Sequence, residues 1–234
     1  MPRIAILSDI HANLPALEKV LEKLEKESPD IWLCLGDLVG YGPYPSECID
    51  LVRERNMICV KGNHDAGVTG ELTVKHFRNP NRKLIEITNQ RLLRNDQVEW
   101  LKSLPYIVED EHWIAAHASP IEPEKWQYIE SAFTARDILK KTQKQFCFIG
   151  HTHKPVLVSE GFGINKVKPG HSYLINPGSV GQSRDGDYRG ACGILDTNIM
   201  EYKTFRIDFD IEKVLTGLTK LGFSRKEASQ MIKI

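Results

Sequence analysis

Five short apolar runs in this chain each end in a polar group of the kind that binds metal ions or moves protons. The first gives Ser8-Asp9-Ile10-His11, the second Gly36-Asp37 and the third Gly62-Asn63-His64-Asp65. The fourth gives His117-Ala118-Ser119-Pro120 and the fifth Gly150-His151-Thr152-His153. Carboxylate, imidazole and amide oxygen are ligands for hard and borderline divalent ions such as Mn, Fe, Zn, Ni or Co. Asp9 and His11 are two residues apart, so on an extended backbone both side chains point the same way and grip one ion. The seven candidates Asp9, His11, Asp37, Asn63, His117, His151 and His153 exceed what one open tetrahedral site takes. They suit two ions with a shared carboxylate. His64, next to Asn63, points elsewhere, toward a bound substrate.

The elements that must position these groups are legible as short β-rich runs. They are Arg3–Leu7, Ile31–Leu35, Met57–Val60, Trp113–Ala116, Cys147–Ile149, Val156–Val158, Tyr173–Ile175, Ala191–Leu195 and Glu201–Ile207. Leu14, Leu17, Leu21 and Leu24 follow helical spacing after Asn13 as a cap and Pro15 in the first turn. Pro45 through Arg55 reads as a second, shorter helix. This βαβαβ start implies parallel strands with crossover helices. In open α/β sheets ligands bind beyond the carboxyl ends of the strands, so neighbouring strands would bring the polar groups to one site. From about residue 147 the strands follow one another through turns, which predicts antiparallel or mixed additions and two sheets. Polar helical stretches at about 66–105 and 120–145 read as insertions into a single domain spanning 1–234. Residues 211–234 read as two short helices broken at Gly222, the second started by a Ser224…Glu227 capping box. That segment is short and offers no clear face for reading DNA.

With D-x-H, G-D, G-N-H-D, a lone His after a strand and G-H-x-H in this order across residues 9–153, the chain resembles the calcineurin-like metallophosphoesterase superfamily. Asn176-Pro177-Gly178-Ser179-Val180-Gly181-Gln182 also resembles the small bacterial and archaeal branch, although Asn-Pro-Gly is equally an ordinary turn. The resemblance implies a four-layer αββα sandwich with two mixed β-sheets and helical insertions. It implies a two-metal site with Asp9, His11, Asp37 and His153 on the first ion. Asp37 would bridge, Asn63, His117 and His151 would complete the second, and His64 would be the catalytic imidazole. Two such ions clamp a phosphoryl oxygen and acidify a bound water, whose hydroxide attacks phosphorus in line with the leaving oxygen. His64, when protonated, assists the leaving group.

The second block departs from one pattern. Protein Ser/Thr phosphatases and symmetrical diadenosine tetraphosphatases, which the chain otherwise resembles, carry an Arg four residues after its Asp. Here that position is Tyr41, and the Asp that would orient the catalytic imidazole is replaced by Gly40. A Tyr cannot replace a bidentate cation, so both activities are discounted. Arg184 or Arg189, beyond the Asn176–Gln182 loop, would supply the substrate-binding cation instead. Asp65 reads as a cap outside the site, and His76, His112 and His171 as surface or locally bonded histidines.

Composition narrows the partners. The 234 residues hold 31 Lys+Arg against 31 Asp+Glu, and zero net charge argues against a general polyanion binder. The basic residues between Lys75 and Arg94 are diluted by acids and read as a solvated face. No apolar run approaches the roughly 18–20 residues of a membrane span, and no signal peptide fits before Arg3–Leu7. Five Cys without a C-x-x-C pair read as reduced core residues, hence a cytoplasmic protein. The expected function is therefore a metal-dependent phosphohydrolase, a phosphodiesterase, a phosphatase or both, acting on a small phosphorylated substrate. A nuclease on the same site and a non-catalytic metal-binding scaffold are the alternatives; the neutral charge disfavours the first, and the intact ligand set with His64 the second.

Overall fold

Alternating side chains along the strands divide the apolar residues between two faces, and that division builds the architecture. The structure is a computed structural model that describes residues 2–161 and 166–233. The strands are Arg3–Leu7 (β1), Ile31–Cys34 (β2), Ile58–Cys59 (β3), Ile107–Glu109 (β4), Trp113–Ala116 (β5), Phe146–Phe148 (β6), Val156–Ser159 (β7), Tyr173–Asn176 (β8), Gly190–Asp196 (β9) and Glu201–Ile207 (β10). One sheet has the order β10-β9-β1-β2-β3 and the other β4-β5-β6-β8-β7. Both are mixed. β1, β2 and β3 run parallel, while β9 joins β1 antiparallel and carries β10. β5, β6 and β8 run parallel, flanked by antiparallel β4 and β7.

Ile4, Ile6 and Leu33 of the first sheet, with Val60 just past β3, meet Trp113, Ala115, Phe146, Phe148, Tyr173 and Ile175 of the second in one buried cluster. The intervening residues Ala5, Leu7, Cys34 and Cys59 face the opposite way. They pack against Leu14–Glu25 (α1) and Pro45–Glu54 (α2) through Leu17, Val20, Leu21, Ile49 and Val52. On the far side of the second sheet, Ile114, Cys147 and Leu174 pack against Ala135, Ile138 and Leu139 of Ala132–Thr142 (α6). Helix, sheet, sheet and helix thus give the four-layer αββα sandwich expected from the resemblance. All five cysteines are free and buried. Among the described residues no helix is long and apolar enough to cross a membrane.

The first insertion folds as Asn63–Thr69 (α3), Asn81–Ile87 (α4) and Asn95–Ser103 (α5). Ile211–Lys220 (α7) and Arg225–Ile232 (α8) pack together through Val214, Leu218, Phe223 and Met231, with Leu84 of α4 in the same cluster. β4 is missing from the sequence reading. It is three residues long, sits at a sheet edge and is only partly buried, so it carries almost no periodic apolar signal.

Candidate metal centre

Each polar group sits just past the carboxyl end of its strand, and the backbone there leaves extended geometry. Asp9, His11, Asp37, His151 and His153 have φ of 53°, 50°, 53°, 66° and 59°. The alternation argument for Asp9 and His11 therefore fails: a left-handed turn, not a strand face, aims both side chains inward. Such conformations cost non-glycine residues on the order of 1–3 kcal/mol each and persist only where the surroundings impose them. Here they are imposed by loop-to-loop hydrogen bonds. Asp9 N donates to Gly36 O at 3.0 Å, His11 N to Asp37 O at 2.9 Å and Gly181 N to Asp9 O at 3.0 Å. The loops must also approach closely. A Cβ at Gly62 would overlap the Asp37 carboxylate, and one at Gly150 would overlap Ser8 Oγ.

Two donor clusters result. Asp9, His11, Asp37 and His153 form one, and Asp37, His117 and His151 the other; within each, the donor atoms lie within 4.8 Å of one another. Asn63 adds its amide oxygen to the second, with Oδ1 3.2 Å from His117 Nε2. Asp37 is common to both. Its Oδ2 lies 3.6 Å from His11 Nε2 and 3.3 Å from His117 Nε2. Its Oδ1 is held by the His64 N–H at 2.8 Å.

The protons decide what this centre can hold. His11 Nδ1 faces Val39 O at 3.0 Å, His117 Nδ1 faces Leu35 O at 2.7 Å, and His153 Nδ1 faces Gln182 O. A carbonyl only accepts, so each Nδ1 carries its proton and each Nε2 is turned to the centre, where it offers a lone pair whenever the ring is neutral. His11 Nε2 and His153 Nε2 then face each other at 3.2 Å. Asp9 Oδ1, buried and without a hydrogen-bond partner, lies 3.2 Å from His153 Nε2. Acceptors crowded together in this way repel unless a cation stands among them. Two nitrogens bound at roughly 2.0–2.1 Å to one ion lie about 3.0–3.4 Å apart, which this spacing matches. The donor set fits a divalent metal site.

Electrostatics agree. Burial works to raise the Asp9 carboxyl, but His153 and His117 hold it well below the usual carboxylate range. Burial opposes charging of His117, yet Asp37 and Asp9 push it up to about 10, so a proton takes the place of a cation there. Burial, reinforced by His64, pushes His11 down. His151 is pushed down to about 3 by burial and by His117.

His64 stands beside the first cluster. Its ring lies 4.7 Å from His11, 4.8 Å from Tyr41 and 4.8 Å from Phe77. Its Nδ1 is buried and unpartnered, and a Cβ at Gly40 would overlap it. Gly40 thus occupies the place from which a side chain would orient this imidazole. Burial, with His153, His117 and Arg184 adding to it, pushes His64 down to about 4 against the pull of Asp37.

Other residues proved to be structural supports that sequence reasoning passed over. Asp65 caps Gly62, as its position predicted, but it also clamps the second block: its carboxylate accepts from Asp37 N, Leu38 N, Val39 N and Gly62 N at 2.9, 3.0, 3.3 and 2.9 Å. Asn176 donates to Gly150 O and Thr152 Oγ1 and accepts from Gly178 N, fixing the fifth block. Lys61 is buried and ties the end of β3 to the insertion through Glu71 at 2.7 Å and Lys102 O at 2.9 Å. The available signal was a lysine set directly between the apolar run Met57–Val60 and Gly62-Asn63-His64.

A cavity of about 1110 Å³ opens over the centre. Its walls come from Leu72, residues 76–81, 124–128 and the end of α8, and it is floored by Asp37, Asn63, His64, His151 and His153. Of the two candidate cations, Arg184 lines it and Arg189 does not. Arg189 is turned to Asp187, with Nη2 2.7 Å from its carboxylate. Arg184 donates to Gln182 Oε1 at 3.0 Å and to Tyr41 Oη at 3.3 Å. His76 and Arg78 also line the cavity, whereas His171 pairs with Glu160.

Buried Asp and His clusters at the strand ends of this αββα sandwich form a candidate divalent-metal site. Residues 2–155 match the family model for calcineurin-like phosphoesterases, and the chain belongs to that family: it is a phosphoric ester hydrolase. It is 35% identical over 232 residues to an uncharacterized protein of Methanocaldococcus jannaschii, covering 93% of this chain and 92% of that one. A metallophosphoesterase structure from Sphaerobacter thermophilus is 34% identical, with a TM-score of 0.83 over 98% of this chain and 97% of that one. Phosphodiesterase YfcE of Escherichia coli is 26% identical over 210 residues, 86% of this chain and 90% of that protein.

Proposed function

We propose that this chain hydrolyses small phosphodiesters with two divalent ions drawn from Mn, Fe, Zn, Ni or Co. Asp9, His11, Asp37 and His153 would hold one ion, and Asp37, Asn63, His117 and His151 the other. The observation that carries the reading is the position of Asp37 Oδ2 between His11 Nε2 and His117 Nε2, at 3.6 and 3.3 Å. When bound, the ions supply charge neutralisation for a phosphoryl group and acidify water. The diester preference is supported by the likeness to Phosphodiesterase YfcE and by a cavity far larger than one phosphoryl group.

The side chains then divide the work. Arg184 grips a non-reacting phosphoryl oxygen, the task that Tyr41 cannot perform. His64 reaches the cavity through Nε2, because its Nδ1 is buried against Gly40. Without substrate, burial keeps it neutral; an anionic phosphoryl group beside it favours the protonated form, which donates to the leaving oxygen. The loop that closes the centre from residues 176–182 and the end of α8 make the whole chain, 1–234, one catalytic unit. Its five free, buried cysteines suit a cytoplasmic enzyme.

The test is metal-stripped protein resupplied with Mn²⁺, Ni²⁺ or Zn²⁺ and offered a bis-aryl phosphodiester, an aryl monoester, cyclic nucleotides and dinucleoside polyphosphates. Elemental analysis of the loaded protein counts the ions. Metal-dependent diester turnover with two ions per chain is expected. One ion per chain would overturn the binuclear reading, and no turnover on any substrate would leave a binding scaffold.

A further inference from the structure

We infer that Trp126 and Tyr128 form a stacking subsite for the ester group that stays on phosphorus, and that this group carries an aromatic ring. The inference rests on the phosphodiesterase reading above. Both residues line the cavity. Tyr128 lies flat on His151, with ring centroids 4.0 Å apart and planes 25° from parallel, yet it remains 51% exposed. Trp126 stands 6.0 Å from His117 and 5.7 Å from Tyr106. Two large rings therefore border the cavity beside the His117–His151 cluster.

The backbone there is built for this placement. Trp126 has φ 53° and Glu122 has φ 57°, bracketing the single turn Pro123–Lys125 between two left-handed residues. A bulky residue in that conformation is a true outlier, and such strain concentrates where a side chain must be aimed. Aromatic faces held at a site rim bind flat rings with little regard for their sequence or substituents.

The position relative to His64 identifies which ester group is bound. Among the described residues, the ring contacts of His64 are with His11, Tyr41 and Phe77, whereas those of Trp126 and Tyr128 include His117 and His151. The oxygen that His64 assists thus leaves on the Tyr41–Phe77 side, and the Trp126–Tyr128 side receives the substituent that is retained. A cavity of about 1110 Å³ exceeds the roughly 300–1,000 Å³ that one drug-sized ligand occupies, so both arms fit at once.

Three diesters that share a 4-nitrophenolate leaving group separate the possibilities, because only the retained group differs: methyl, phenyl or 5′-thymidyl. Trp126→Ala is expected to raise KM about 5- to 150-fold for a ring-bearing diester, the range that removal of a stacking ring produces. The methyl diester is expected to change less than twofold, which also reports that the variant is folded and loaded. Trp126→Phe is expected to restore most of the loss. Calorimetry of phenylphosphonate against methylphosphonate reads the same preference as binding, with the phenyl advantage lost in Trp126→Ala. A loss confined to the phenyl diester identifies an aryl group, and one that includes the thymidyl diester a nucleoside. Equal loss on all three diesters, or none, overturns the subsite. Failure of the wild-type protein to cleave any of the three would strike the phosphodiesterase reading instead.

Discussion

Asn176→Ala removes a side chain that touches no candidate ligand directly, yet it is expected to weaken both the fold and metal binding. Asn176 is fully buried, and its Nδ2 donates to Gly150 O at 2.7 Å and Thr152 Oγ1 at 3.0 Å. Its Oδ1 accepts from Gly178 N at 2.9 Å. Truncation leaves the Gly178 N–H without that acceptor, which costs about 1–3 kcal/mol. The two lost donor bonds add about 0.5–1.5 kcal/mol each, since Gly150 O keeps the Thr152 N–H as a second partner. A loss of about 4 kcal/mol lowers Tm by roughly 8–16 °C in a chain of this length. Because Gly150 and Thr152 flank His151 and precede His153, metal affinity is expected to fall about 10- to 100-fold, as for other residues that orient ligands. Thermal melts of metal-free protein read the first effect, and competition against a chelating dye reads the second. Asn176→Asp keeps the acceptor but sets a carboxylate oxygen against the Gly150 carbonyl, so it is expected to destabilise as well. Destabilisation with unchanged metal affinity would refute the positioning argument, and no destabilisation would refute the hydrogen-bond reasoning itself.

Further outcomes follow from the same geometry. His64→Ala is expected to keep the metals, measured by elemental analysis, while kcat falls roughly 10²- to 10⁴-fold; wild-type turnover would remove His64 from the reaction. Arg184→Ala is expected to raise KM roughly 10- to 100-fold, the worth of a charge-assisted hydrogen bond, while Arg189→Ala leaves it unchanged, because Arg189 is engaged by Asp187. An equal response of the two would contradict their placement. At pH 8 the metal-free protein carries a proton on His117, whose pKa is pushed up to about 10. A ligating imidazole must be neutral, so metal binding is expected to release about one proton and to weaken as pH falls. Calorimetry in buffers of different ionisation enthalpy measures that release, and its absence would mean that His117 is neutral beforehand.

The strands were legible as short apolar runs and the βαβαβ start followed from them, whereas the αββα layering was implied by the resemblance alone. The division of side chains between two faces is what realises it. Ile4 and Ile6 face one way and Ala5 and Leu7 the other, and each strand repeats that division. Helix starts were legible because capping is local, as Asn13 shows by accepting from Ala16 N at 3.1 Å. β4 escaped because a three-residue edge strand has too little periodicity, and the left-handed turns at Asp9 and His11 escaped because loops that impose them lie far off in sequence. Arg184 and Arg189 are five residues apart and look equivalent in sequence; only the course of the loop sends one to the cavity.

By itself, then, the sequence determined the inventory of donors and their place at the ends of strands, since both depend on residue type and on contacts within a few residues. The tertiary structure decided what that inventory becomes. Strand order brings Asp37 between His11 and His117, Asp65 reaches across to clamp the Asp37 turn, and the distant segment 124–128 puts Trp126 and Tyr128 beside His117 and His151. Most of these contacts join residues tens of positions apart, and even Trp126 and His117, nine apart, meet through a turn that helical or strand spacing does not encode.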